Sequence, residues 1–306
     1  MQDRNDMLND TSRQPAIHPA MAERPEWVET LTRVCVDDLL FAFGLGKLHH
    51  ARRPLELLFQ SPARRLASQV AIYDRVVGDL GLRAGGAWAL ERMARHVAIE
   101  GQENVPSEGP LLLVANHPGL SDTVALFATI PRTDLRVVAA ERPFLNALPN
   151  TLPYLLTVNE KSPGRLGLVR SATRHLRNGG AVLTFPGGRI EPDPAVLPGA
   201  VRSLERWSSS AALFARLVPD LTIVPAIICG VLSTTALRNP LTLLRRRNED
   251  REWLAATLQI MTPGLYDVTV KVSFGRPIHA GDYSEGRVGQ VVLDQARHMI
   301  ERCEAK

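Results

Sequence analysis

The stretch "LLLVANHPGLSDTVALFATI", residues 111–130, decides how the rest of the chain is read. With Pro110 it opens on the apolar run PLLLVAN, of strand length, and it closes on SDTVALFATI, which has the start signals and spacing of a helix. Between them Pro118 and Gly119 permit a sharp reversal. The alternation continues downstream. LRVVAAE (135–141) reads as a strand, Pro143 to Pro153 as a turn region, GRLGLVRSATRHLRNG (164–179) as a helix and AVLTFPGG (181–188) as a strand. A helix near Val201 to Leu217 follows, then the strands LTIVPAII (221–228) and YDVTVKVSFG (266–275), and a helix from Val288 to Cys303. Apolar strands alternating with helices predict an α/β fold with a mostly parallel central sheet flanked by helices on both faces.

Upstream the texture differs. Residues 1–25 are polar, proline-bearing and without periodicity, which predicts a disordered tail, and no charged-then-apolar secretion signal is visible in them. Residues 26–96 carry apolar residues at spacings of three and four, broken at Gly44, Gly46 and Pro54, so a helical region of two or three helices is expected ahead of an α/β domain at 97–306. Arg52, Arg53, Arg64 and Arg65 beside Leu55, Leu57, Leu58 and Phe59 suit either a helix lying among lipid head groups or an ordinary helical cap on the main domain. The segment 237–261, with Arg245, Arg246 and Arg247 beside Leu241, Leu243, Leu244 and Trp253, suits either docking on anionic lipid or a solvated loop or helix face.

The 306 residues are 45% hydrophobic, enough for a sizeable core, and the formal charge of +4 is carried almost wholly by arginine, since the lysines are only Lys47, Lys161, Lys271 and Lys306. That balance suits an anionic membrane surface or a phosphate-bearing ligand, unless it reflects genome composition alone. With 5% aromatics, a stacking surface for single-stranded nucleic acid is not expected. Cys35, Cys229 and Cys303 are far apart and show neither a disulfide framework nor a thiolate metal site, which predicts a reducing, cytoplasmic setting. The longest apolar run, Leu221 to Leu237, is interrupted by Pro225 and too short to span a bilayer, so any membrane contact is expected to be peripheral.

Ligands of open parallel sheets collect at the carboxyl ends of strands, where His117 falls. If the Pro118-Gly119 turn folds back, the Asp122 carboxylate reaches one imidazole nitrogen, fixes the tautomer and leaves the other nitrogen as a base. The alternative from spacing alone is that Asp122 caps the helix and His117 is a loop histidine. No Gly-x-Ser-x-Gly elbow occurs and no cysteine lies near, so a base at 117 would act on a substrate hydroxyl or amine directly. A second loop, Phe185-Pro186-Gly187-Gly188-Arg189, follows another strand of the same sheet. Its glycines admit an anion to the backbone N–H groups and Arg189 adds a fork of donors.

Asn116-His117 with Asp122 after four intervening residues, then the FPGGR loop, then Val224-Pro225 within a strand, together resemble the glycerolipid acyltransferase superfamily over roughly 97–230. The resemblance implies a transferase of phospholipid biosynthesis that moves a fatty acyl group from acyl-CoA or acyl carrier protein to a lyso-lipid or glycerol-phosphate-type hydroxyl. It implies His117 as general base, Asp122 as its orienting carboxylate, backbone N–H groups around the thioester oxyanion, and neither metal nor cofactor. Asn116, Phe185, Pro186, Gly187, Gly188, Arg189, Glu191 and Lys161 become the candidate substrate contacts. Where the family carries Glu in its third block this chain has Gly187, and Glu191 is the carboxylate placed to substitute. At LTVNEK, where the family has an Arg, only Lys161 offers charge. The expected partners are the acyl donor, a lyso-lipid acceptor and the anionic inner face of the cell membrane, with no nucleic acid. A non-catalytic lipid-binding homologue and an acyl thioesterase are the alternatives.

Overall fold

The computed structural model describes residues 25–48, 50, 52–158, 165–262, 265 and 267–304. The tail expected at 1–25 (Pro25 apart) and Lys161 lie outside the described residues. Three helices open the chain: α1 (Pro25–Ala42), α2 (Arg52–Leu80) and α3 (Leu82–Leu90). Pro54 does not break α2. It sits in the first turn, where a missing N–H costs no intrahelical bond.

The remaining elements in order are β1 (His96–Glu100), β2 (Leu111–Ala115), α4 (Asp122–Thr129), β3 (Leu135–Ala140), β4 (Leu155–Val158), α5 (Arg165–Arg177) and β5 (Ala181–Thr184), then α6 (Ala200–Ser203), α7 (Ser210–Leu217), β6 (Thr222–Cys229), α8 (Asn248–Met261), β7 (Thr269–Phe274), β8 (Ile278–His279) and α9 (Glu285–Glu304). They build one eight-stranded sheet in the order β1-β7-β6-β2-β5-β3-β4, with β8 paired to β6. Five strand pairs are parallel, and the pairs of β6 with β7 and with β8 are antiparallel. The mostly parallel α/β sheet with its N-terminal helical region is the fold that the alternation predicts.

The all-apolar sequence of β2 follows from its place at the centre. All five residues are buried, and the two-residue period of a strand divides them between two cores. Leu111, Leu113 and Ala115 pack with Leu31, Ala67, Leu90 and Leu126, so α1 to α4 cover that face. Leu112 and Val114 pack with Leu176, Phe214, Ile223 and Val292 beneath α5, α7 and α9 on the other. Truncating one of these fully buried leucines to alanine is the kind of change that costs about 2–5 kcal/mol.

Proline in a central strand normally interrupts pairing, and the topology accommodates Pro225 where pairing already changes hands. On that edge of β6, Thr222 and Ile223 pair with β8 and Ala226 to Cys229 pair with β7. Pro225 lies in the gap and offers only its carbonyl, which accepts from Gly275 N–H at 2.7 Å.

Two expectations need correction. The turn region after Pro143 leads into a strand, β4, at the sheet edge beside β3. The helix expected over Val201–Leu217 is interrupted: a 3₁₀ turn at Leu204–Arg206 is followed by extended backbone at Trp207, and Ser208 N–H turns away to Pro186 O at 3.0 Å. That break brings the Trp207 indole and the 185–189 loop together, at the carboxyl ends of β2, β5 and β6.

Candidate active site

β2 carries the chain into the site and stops at Ala115. Asn116, 1% exposed, fastens that end to β6: its Nδ2 donates to Ile228 O at 2.9 Å and its Oδ1 accepts from Ile228 N–H at 2.8 Å. Both polar atoms of this expected substrate contact are thus engaged within the sheet. The next residue, His117, leaves the sheet with a side chain 28% exposed.

The Pro118-Gly119 reversal returns the chain so that Asp122, the first residue of α4, faces back toward His117. His117 Nδ1 lies 2.7 Å from Asp122 Oδ2, at the short end for a charge-assisted hydrogen bond. The same oxygen accepts from Gly119 N–H at 2.9 Å, and Oδ1 accepts from Thr123 Oγ1 at 2.9 Å. Asp122 is fully buried, and its bonds go to the histidine, the turn and the Thr123 hydroxyl; Ser121, at the capping position, makes no side-chain cap bond. Burial pulls the imidazole's pKa down, but the Asp122 charge and hydrogen bond, with Glu191 adding to them, outweigh it and hold the ring above its ordinary value.

The loop after β5 forms the second wall. The Phe185 ring lies 4.9 Å from the His117 ring, tilted by 36°. Pro186 is buried, Gly188 adopts φ 65°, open to glycine at no steric cost, and Arg189 is exposed without a hydrogen bond or ion pair to another described residue. Glu191, by contrast, is 1% exposed. Its Oε2 accepts from His117 N–H at 3.0 Å, while Ser203 Oγ and Trp207 Nε1 each lie 2.8 Å from Oε1. Burial raises its pKa, and the Trp207, Ser203 and His117 donors oppose that rise. Since the N–H groups of His117 and Gly119 already serve Glu191 and Asp122, neither is available to a substrate oxyanion.

Sequence reasoning did not find Ser203, Trp207 or Asp193. Asp193 is fully buried and accepts from the backbone N–H groups of Gly230, Val231 and Leu232 at 2.8, 2.7 and 3.0 Å, which fixes the loop leaving β6 behind Gly119. Its proximity to Glu191 in the chain was the one available signal. A cavity of about 300 Å³ lies beyond that loop, lined by Val196, Leu232, Ser233 and Thr269, and His117 is not among its walls.

An apolar surface begins on the loop that carries His117. Leu120 packs with Leu232, Ala236, Ala255 and Ala256. Through α8, whose Leu254 and Leu258 pack on Ala42, this connects to the end of α1. Phe41, Leu48, Leu57 and Leu58 are exposed there, as are Leu241, Leu243 and Leu244 of the 3₁₀ turn Pro240–Leu244. Arg245 stitches the two segments, with Nη1 donating to Phe41 O at 3.0 Å and Nη2 2.9 Å from Asp250. Arg246 and Arg247 remain exposed, whereas Arg52 is paired with Asp37 and Glu56. Among the described residues no helix is long and apolar enough to cross a membrane.

A family model described as Acyltransferase matches residues 96–229, a span that opens at β1, ends at the last residue of β6 and contains His117, Asp122 and the 185–189 loop. Among solved structures the chain is similar to the 1-acyl-sn-glycerophosphate (LPA) acyltransferase PlsC from Thermotoga maritima, at 18% identity and a TM-score of 0.45, covering 92% of this chain and 96% of that one. No curated protein matches it. Over residues 96–229 the chain is similar to the Acyltransferase family, and that span holds the residues on which the resemblance to the glycerolipid acyltransferases rests.

Proposed function

We propose that the protein transfers a fatty acyl group from acyl-CoA or acyl carrier protein to the hydroxyl of a lyso-lipid or glycerol-phosphate-type acceptor, with His117 as general base. The observation that carries this is the 2.7 Å contact between His117 Nδ1 and Asp122 on a ring that is still partly exposed. With Nδ1–H donating to Asp122, the lone pair sits on Nε2. That nitrogen takes the proton from the acceptor O–H as the oxygen attacks the thioester carbonyl. The tetrahedral intermediate then expels the thiolate with cleavage of the C–S bond, and the imidazolium returns the proton to sulfur. A base so placed contributes about 10²–10⁴-fold in rate, and Asp122 stabilises the imidazolium while it exists.

In this reading Phe185, Pro186, Gly187 and Gly188 shape the wall facing His117, and Arg189 meets negative charge on the donor or acceptor. Lys161 is assigned the same role from the sequence alone. Asn116 and Glu191, both buried and internally bonded, support the loop instead of touching substrate. The exposed leucines at 57, 58, 241, 243 and 244, with Phe41 and the free Arg246 and Arg247, are proposed to rest on the anionic inner face of the cell membrane, where a lyso-lipid would be delivered beside Leu120.

The experiment is to mix the purified protein with labelled acyl thioester and a panel of lyso-lipids and glycerol phosphate, with and without vesicles containing anionic phospholipid. Acylated acceptor, formed faster with vesicles, is the expected result. Free fatty acid released at full rate without acceptor would replace the transferase with a thioesterase, and saturable binding without product would leave a lipid-binding protein.

A further inference from the structure

A buried carboxylate with no arginine or lysine paired to it among the described residues has to be explained by what it holds, because removing it from water is costly unless its oxygens are well bonded. Glu191 is such a group. Its two contacts with residue 117 form a closed pair: Glu191 N–H donates to His117 O at 2.8 Å, and Glu191 Oε2 accepts from His117 N–H at 3.0 Å. The backbone of His117 is therefore gripped at both polar groups by one residue. Ser203 and Trp207 fix the other carboxylate oxygen, so that grip is anchored to α6 and to the break that follows it.

The space for this carboxylate exists because residue 187 has no side chain. A Cβ placed on Gly187 would lie 2.9 Å from the carboxyl carbon of Glu191, closer than such atoms pack, and 3.1 Å from each of its oxygens, so the carboxylate would have to shift. The backbone of the 187 turn and the side chain of residue 191 thus compete for one volume.

We infer that Glu191 is a positioning residue for His117, and that glycine at 187 is the condition for it: either position can supply the carboxylate that holds the histidine loop, but not both. The geometry allows the exchange. In a glutamate the carboxyl carbon lies about 2.5 Å from Cβ, close to the 2.9 Å that separates the Cβ site of residue 187 from the carboxyl carbon of Glu191. The Glu191 charge also contributes to holding the imidazole above its ordinary pKa. This inference rests on His117 being the base.

The test is a double-mutant cycle on acyl transfer, read as kcat and KM separately, with backbone hydrogen exchange at residue 117 as a readout that needs no turnover. Glu191→Gln keeps the shape but turns an amide N–H₂ toward His117 N–H if its oxygen stays with Ser203 and Trp207, setting donor against donor. It is expected to lower kcat about 10- to 100-fold, the scale of a displaced reacting group, with KM for both substrates within about twofold, and to speed exchange at the His117 amide. Glu191→Ala and Gly187→Glu alone should each lose activity, and Gly187→Glu in the Glu191→Ala background should recover at least about tenfold of the Glu191→Ala loss. Losses that simply multiply in the double variant, an effect of Glu191→Gln confined to KM, or unchanged amide exchange would each overturn the inference. Should Glu191→Ala not fold, the glutamine variant decides by its exchange and its kcat. If His117→Ala retains full transfer, the assigned base is wrong, while amide exchange still reports whether Glu191 holds the loop.

Discussion

The two ends of the sheet each hold a histidine and an aspartate, and they treat them differently. At the amino end, His175 Nε2–H donates to the Asp134 carbonyl at 2.7 Å, and the buried Arg132 bonds the Asp134 carboxylate at 2.8 and 2.7 Å and the carbonyls of Pro106, Gly109 and Gly179. These bonds tie the entries of β2, β3 and β5 together. At the carboxyl end, the His117 ring is hydrogen-bonded by Asp122 on Nδ1, and its side chain keeps 28% of its surface exposed. A histidine-carboxylate neighbourhood is thus not itself a site. What separates the two is whether the ring is held by a carboxylate on one nitrogen while staying partly exposed, or gives its N–H to a backbone carbonyl that needs a donor.

The contrast can be broken first at Asp122. Asp122→Asn is expected to lower kcat by about 10²- to 10⁴-fold, because the amide cannot stabilise the imidazolium or fix the tautomer as the carboxylate does. The pH profile gives the sign. A general base works deprotonated, so kcat/KM rises with pH through the His117 pKa, which is held above the ordinary value of about 6.5. Without the Asp122 charge, burial dominates and the acid limb must move to lower pH in the residual activity. A limb that stays in place would assign it to another group.

The amino end predicts the opposite partition. Arg132→Ala should cost about 1–3 kcal/mol of stability by leaving part-buried carbonyls and the Asp134 carboxylate without their donor, measured by denaturant midpoint, with kcat per folded molecule unchanged. The Arg132 hydrogen bond, against burial, lowers the Asp134 pKa. A carboxylate with a depressed folded pKa contributes stability above its unfolded pKa that is lost as pH falls through the folded one, so the variant should lose less stability on acidification than the parent. A matching loss of turnover would blur the distinction between the ends. The smallest effect is expected at Arg189, exposed and unpaired among the described residues. Arg189→Ala should change kcat/KM by about fivefold or less, as for a surface charge contact of about 1 kcal/mol, and more for a charged acceptor than for a neutral one.

The central strands were legible because they are buried on both faces. LLLVA, AVLT and TIVPAIIC read as continuous apolar runs, and the Pro118-Gly119 turn pointed to the contact of residues 117 and 122. The edges were not. β4 exposes or half-exposes every residue and follows a proline-rich turn, and β1 alternates between exposed and half-buried, so neither shows an apolar run. The break at Trp207 was hidden because VRSLERWSSSAALFARL keeps helical spacing across it. The cause is long-range: the Trp207 indole reaches Glu191 and the Ser208 amide reaches Pro186. The fit of Glu191 against Gly187 was out of reach for the same reason, since adjacency in three dimensions depends on the turn at 186–190 and not on composition. The apolar and basic stretches around Arg52 and Arg246 were each visible in the sequence, but not the bond from Arg245 to Phe41 O that joins the second of them to the end of α1.

The most direct test of the account is acyl transfer by His117→Ala against the parent protein, using labelled acyl thioester and the acceptor identified in the panel, with near-UV circular dichroism and the denaturant midpoint compared for both. The account predicts a folded variant whose transfer rate falls at least about 10²-fold. A folded variant that transfers acyl groups at the parent rate would contradict it.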